Sequence, residues 1–154
     1  MVDRADLSDL YQEVILEHSK APRNFRRPVS ANHEAEGYNP LCGDRCTVYI
    51  DLAGDKINEI GFQGSGCAIS RASASMMTQM VKGKSKAEAG KLFEQFHNLV
   101  TGKDDSTQAA DLGKMAVFGG VSKFPARVKC ATLAWHTMQS ALADEKKQLP
   151  VSTE

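Results

Sequence analysis

Apolar residues Leu7, Leu10, Tyr11, Val14 and Ile15 recur at steps of three and four between Asp6 and Lys20, which predicts an amphipathic helix packed on a core and ended by Ala21-Pro22. The texture then changes. Cys46 to Leu52 (CTVYIDL) is rich in β-branched and aromatic residues, Gly54-Asp55 signals a turn, and Lys56 to Phe62 (KINEIGF) alternates again, so the two runs predict a hairpin. Asn32 to Tyr38 offers a weaker pattern for a third strand. Beyond Gly64-Ser65-Gly66 the period becomes helical over Ala68 to Val81, Ser85 to Val100 and a long segment from Pro125 to about Lys147. Pro125 suits a first helical position, where an N–H would lack a partner anyway.

Strands precede helices without βαβ alternation. The expected fold is therefore α+β: a small antiparallel sheet of about three strands with helices packed on one face. No internal repeat is visible. We expect one domain over residues 1–148, a long exposed loop over Lys103 to Asp111, and a flexible C-terminal tail over 149–154.

Composition narrows the function classes. The chain has 154 residues, 42% apolar and 25% charged, close to the averages of folded soluble proteins. Nineteen basic residues balance nineteen acidic ones, leaving no net positive field for phosphate backbones or anionic membranes; nucleic acid is not an expected partner. No run of about 18 apolar residues is available to span a membrane. The first residues also lack the basic-then-apolar order of a secretory signal, so the expected location is cytoplasmic. In that reducing compartment the four cysteines are expected to bind metal, do chemistry or fill the core rather than form disulfides.

Two phosphate-loop look-alikes fail. Gly83-Lys84-Ser85 ends like a Walker A loop, but Thr78 stands where that motif needs its first glycine. Gly61, Gly64 and Gly66 have the wrong order for a dinucleotide fingerprint. The cysteines carry more information. Cys42 lies in Asn39-Pro40-Leu41-Cys42-Gly43-Asp44, where proline and glycine predict an accessible loop. Cys67 opens a helix, where unpaired N–H groups and the helix dipole favour a thiolate. Cys130 lies in the second turn of the last helix. No pair forms the close C-x₂-C knuckle of common zinc sites, so spacing alone leaves their role open. Cys42 and Asp44 share a face if the chain there is extended; with Cys67 and Cys130, three sulfurs and one oxygen could complete a tetrahedron.

The strings NPLCGD, GFQGSGCAISRASASMMTQMVKGK and GVSKFPARVKCATLAWHTMQSAL, with LYQEVILEHSKAPRNF before them, resemble the SufU branch of the IscU/NifU-type iron-sulfur cluster assembly proteins over most of the chain. That resemblance implies that Cys42, Asp44, Cys67 and Cys130 are zinc ligands and that Cys42 accepts sulfur. It implies a pyridoxal-phosphate cysteine desulfurase of the SufS type as donor, with iron-sulfur assembly proteins downstream. Two details favour the SufU branch: the long segment between Cys67 and Cys130, and Lys129 where IscU-like scaffolds have a histidine. The resemblance also draws attention to Arg127, one helical turn before Cys130, as a group for a site anion or the partner's persulfide; a solvated surface arginine is the equal alternative. Cys46 matches no position of the family pattern and is expected to pack as a small hydrophobe, though an extended strand would aim it toward the ligands. His18, His33, His97 and His136 lie in no motif and are expected to be surface or capping residues.

Sulfur transfer from a persulfide needs an ionised, reachable acceptor, and zinc keeps a coordinated thiol ionised without redox chemistry of its own. The alternative is a scaffold on which a 2Fe-2S cluster, or iron alone, occupies the same thiolates. A third reading, a purely structural zinc domain, fits the aspartate less well, because closed structural sites are usually built from Cys and His.

Overall fold

The structure is a computed structural model that describes residues 13–103, 112–143 and 151–152. Helix α1 covers residues 13–20 there; Leu7, Leu10 and Tyr11 of its expected stripe, the expected loop over 104–111, and residues 144–150 of the expected last helix and tail lie outside the described residues. Strands β1 (His33–Asn39), β2 (Asp44–Ala53) and β3 (Lys56–Ser65) form an antiparallel meander, as alternation predicts. Within the span expected as a tail, Val151–Ser152 (β4) pair parallel with Gly37 and Tyr38, giving the sheet order β3-β2-β1-β4. Helices α2 (Ala68–Val81), α3 (Lys86–Val100) and α4 (Pro125–Leu142) follow, with a 3₁₀ segment over Gly113–Lys123 between the last two.

Period-two alternation sets the buried face of β2: Asp44, Cys46, Val48, Ile50 and Leu52 all point inward. In β3 the inward residues Ile57 and Ile60 are three apart, and a β-bulge opposite Asp51 and Leu52 absorbs the odd step. Helix α4 lies on β1 and β2, and α2 on β3 and α4. Two sequence features allow this closeness. Gly37 leaves room for Thr137, which a Cβ there would strike. Small residues line the α2–α4 contact, where Ser73 Oγ donates to the Ala131 carbonyl at 2.6 Å. Trp135 stacks on Phe96 and Phe93, and Phe96 meets Phe118 edge-on, so the aromatic core sits between α3, α4 and the 3₁₀ segment.

The outer edge of β3 is covered at two places. Near one end, Ile57 N–H donates to the Lys84 carbonyl and Gly83 N–H to the Ile57 carbonyl. Near the other, Phe62 N–H donates to the carbonyl of Asn24, which holds a left-handed φ of 58°. Gly61 is required there, because a Cβ would run into the Arg26 carbonyl. The Gly83-Lys84-Ser85 sequence is thereby explained: Gly83 turns at φ 83°, and Ser85 caps α3 in a reciprocal box with Glu88.

Candidate metal centre

Three elements converge at the open end of the β1–β2 hairpin. The loop over 40–43 joins Asn39 to Asp44, which face each other in register, and Gly43 closes it at φ 70°. Cys42 is thereby held out on the loop, exposed, while Asp44 begins the strand with its side chain turned inward and fully buried. The second element is the start of α2, where Cys67 is the N-cap residue and half-buried. The third is α4, whose first helical residue, Pro125, places Cys130 in the second turn, fully buried.

Ligand atoms of Cys42, Asp44 and Cys130 all lie within 4.8 Å of one another, the group of metal-ligating side chains found among the described residues. Cys130 Sγ stands 3.3 Å from Cys42 Sγ. Tetrahedral zinc with thiolates at about 2.3 Å sets its ligand atoms about 3.8 Å apart, so this triangle has the size and chemistry of three zinc donors. Cys67 is not one of the three but is tied to them by its backbone, whose N–H donates to Asp44 Oδ1 at 2.9 Å, and by its thiol, which interacts with Cys130. The residues therefore fit the metal: two donors buried behind, one exposed in front and a fourth thiol at the side.

A buried carboxylate without partners is costly, and Asp44 has them. Besides the Cys67 N–H on Oδ1, Asn39 Nδ2 donates to Oδ2 at 3.2 Å and approaches Cys130 Sγ at 3.5 Å. Asn39 is fully buried, and its own Oδ1 accepts from Leu41 N–H at 3.3 Å, so one amide orders the carboxylate, a thiol and the Cys42 loop together. Reasoning from sequence missed this role, because Asn39-Pro40 reads first as a turn. Gly66 completes the cradle: a Cβ there would lie 2.5 Å from Asp44 Oδ1.

The thiols are not equivalent. A hydrogen bond from Cys130, aided by the backbone N–H groups of Ser70 and Ile69 in the first turn of α2, draws Cys67 down to about 6 against the effect of its own burial. Cys130 is shifted the other way, pushed up by Cys67, burial, Cys42 and Asp44. Arg127 is exposed in the first turn of α4, and the sulfurs of Cys67, Cys130 and Cys42 reinforce its charge, so the cation stands beside the cluster. Cys46 does point to the same side of β2 as Asp44, yet it lies in the apolar core, 4% exposed, with its thiol pushed up to about 12 by burial. His18 corrects the expectation of a surface residue: it is buried, Nδ1 2.8 Å from Ser75 Oγ. His136 is half-buried edge-on to Phe93, and no histidine joins the metal-ligating group.

Comparisons with known proteins give the family. Residues 10–131 match the family described as NifU-like N terminal domain. The chain is 44% identical over 144 residues to the zinc-dependent sulfurtransferase SufU of Bacillus subtilis, covering 92% of this chain and 95% of that one. It is 41% identical over 136 residues to the iron-sulfur cluster assembly scaffold protein IscU of Streptococcus pyogenes, covering 88% and 84%. Among solved structures, a protein described as an iron-sulfur cluster assembly scaffold protein for the SUF system, FiSufU of Fervidobacterium islandicum, superposes with a TM-score of 0.80 at 37% identity, covering 87% of this chain and 97% of that one.

Proposed function

The chain belongs to the family of NifU-like N-terminal domains, and from that membership we propose that it is a zinc-dependent sulfurtransferase of iron-sulfur cluster assembly, taking persulfide sulfur from a cysteine desulfurase onto Cys42 in the cytoplasm. The observation that carries this reading is the asymmetry of the site. Of the clustered donors, Asp44 and Cys130 are fully buried and Cys42 is exposed, 3.3 Å from Cys130. Sulfur transfer needs a reachable acceptor, and here one thiol faces outward from a buried pair.

Cys42, Asp44, Cys67 and Cys130 would hold the zinc, which when bound keeps its thiolates ionised at neutral pH without redox chemistry. The Cys42 sulfur attacks the outer sulfur of the donor persulfide. A new S–S bond forms at Cys42, the S–S bond of the donor breaks, and its electron pair leaves as the donor cysteine thiolate. The proton travels on the transferred sulfur, and no external oxidant or reductant is needed. Asn39 holds Asp44 and the loop in place, Cys67 and Cys130 stay behind, and Arg127 offers a cation to the donor thiolate as it leaves.

The test uses a pyridoxal-phosphate cysteine desulfurase turning over cysteine under a reductant. Adding this protein accelerates alanine release, and Cys42→Ala abolishes the acceleration while mass spectrometry of trapped wild-type protein finds the added sulfur on Cys42. Sulfur appearing only on Cys67, Cys130 or Cys46, or stoichiometric iron and sulfide in protein purified without oxygen, favours the scaffold reading of the same thiolates instead.

A further inference from the structure

Two large apolar side chains stand in solvent beside the thiols. Leu41, immediately before Cys42, is 63% exposed, and Phe124, immediately before Pro125, is 61% exposed. Folding gains little from either in that position, since the hydrophobic effect rewards only area removed from water. They belong to the two segments whose sulfurs, Cys42 and Cys130, are 3.3 Å apart, so they edge the surface on which the exposed thiol opens. The segment that carries Phe124 and Cys130 is basic: Lys123, Arg127 and Lys129 stand between Ser122 and Ala143, and no carboxylate occurs in that stretch, although the whole chain is balanced. Lys123 and Arg127 are exposed, and the first turn of α4 adds the positive end of its dipole.

This inference rests on the sulfur-acceptor reading of Cys42. The sulfur being passed must come to about 2 Å of Cys42 Sγ for an S–S bond to form. Buried Asp44 and Cys130 close the inward side, so the donor arrives from outside, across the surface that Leu41 and Phe124 edge. We propose that Leu41 and Phe124 form an apolar docking rim, bordered by Lys123 and Arg127, for the protein that carries the persulfide. Its complementary face is an apolar socket ringed by carboxylates with the persulfide at the centre. A second copy of this chain does not fit the same description, because basic border would meet basic border.

Leu41→Ser, Phe124→Ser, their combination and Lys123→Glu are compared with wild type by three measurements: desulfurase stimulation against acceptor concentration, bound zinc, and loading of Cys42 from inorganic polysulfide, which needs no protein docking. The combined variant raises the half-saturating concentration about tenfold, with maximal stimulation, zinc and polysulfide loading at wild-type levels. Lys123→Glu raises it at low salt, and the difference shrinks as ionic strength increases. Because Phe124 borders α4, Leu41→Glu supplies a variant confined to the loop; its carboxylate meets the partner's carboxylates and weakens half-saturation more than Leu41→Ser does. Wild-type half-saturation in the combined variant and in Leu41→Glu overturns the rim. Failure of wild-type Cys42 to load, or full stimulation by Cys42→Ala, overturns the acceptor reading beneath it.

Discussion

Asp44 is the residue on which the centre turns, because its carboxylate is fully buried and held by two donors from different segments. Gly66 makes that possible, and Gly66→Ala is expected to displace Oδ1, breaking the Cys67 N–H bond and lowering bound zinc, read by metal analysis. Gly54→Ala is the contrast: at φ 65° with open space around it, it strains the β2–β3 turn by about 1 kcal/mol and leaves zinc untouched. Cys46→Ala is expected to cost about 1 kcal/mol of stability through the lost packing of a buried thiol, with zinc stoichiometry unchanged. Chemical denaturation and metal content separate the three. At this scale the sequence was legible only in part. Alternation along β2 places Asp44 and Cys46 on one face, but it cannot say that the hairpin end lies near a cysteine 88 positions away. That proximity depends on Gly37 and on the small residues of α2, which let α4 settle on the sheet.

Among the elements, α1 and the turn after it are fastened to α2 by Arg71 Nε, which donates to the Ser19 carbonyl at 3.1 Å, and by the Ser75 hydroxyl: Ser75 Oγ accepts from Arg23 N–H at 2.8 Å and lies 2.8 Å from His18 Nδ1. Burial first, then the charge of Arg23, hold the His18 imidazole below its ordinary 6.5, with Glu17 pulling the other way and Lys114 adding to Arg23. As pH falls, the unfolded chain takes up this proton before the folded one. The stabilisation from neutral His18 is therefore complete above 6.5 and is lost as pH falls through the lowered folded value. Melting temperature should drop between pH 7.5 and 5.5, and drop less in His18→Asn, which keeps an acceptor for Ser75 but cannot charge; equal slopes would remove His18 as the cause. Helices α2, α3 and α4 were readable from period and start signals, with Ser85 and Pro125 marking two of the starts. The 3₁₀ segment was not, because its signal has another period. Leu112, Met115, Phe118 and Val121 are buried at steps of three, the spacing that a 3₁₀ helix brings onto one line, and Gly119-Gly120 hide it.

For the whole molecule, a metal on the four proposed ligands would be a cross-link among the hairpin, α2 and α4, segments that an unfolded chain leaves far apart. Its binding energy is therefore largely folding energy. At a zinc concentration about a thousandfold above its dissociation constant the gain is about 4 kcal/mol, or about 10 °C in melting temperature for a chain of this length. Chelation should remove that increment in calorimetry and zinc should restore it, while Cys130→Ala melts at one temperature with or without zinc. The covered border of β3 has a different consequence, for the crowd of identical chains rather than for one. A sheet's last strand is ordinarily a template on which another copy's strand can zip, the first step of polymerisation. Here Lys84 and Asn24 accept the N–H groups of Ile57 and Phe62 that an incoming strand would need, and Gly61 lets the chain lie close enough to do so. The segment before the first strand thus keeps neighbouring molecules from knitting together, and a chain begun after residue 28 would give up that protection at the Phe62 end of its sheet.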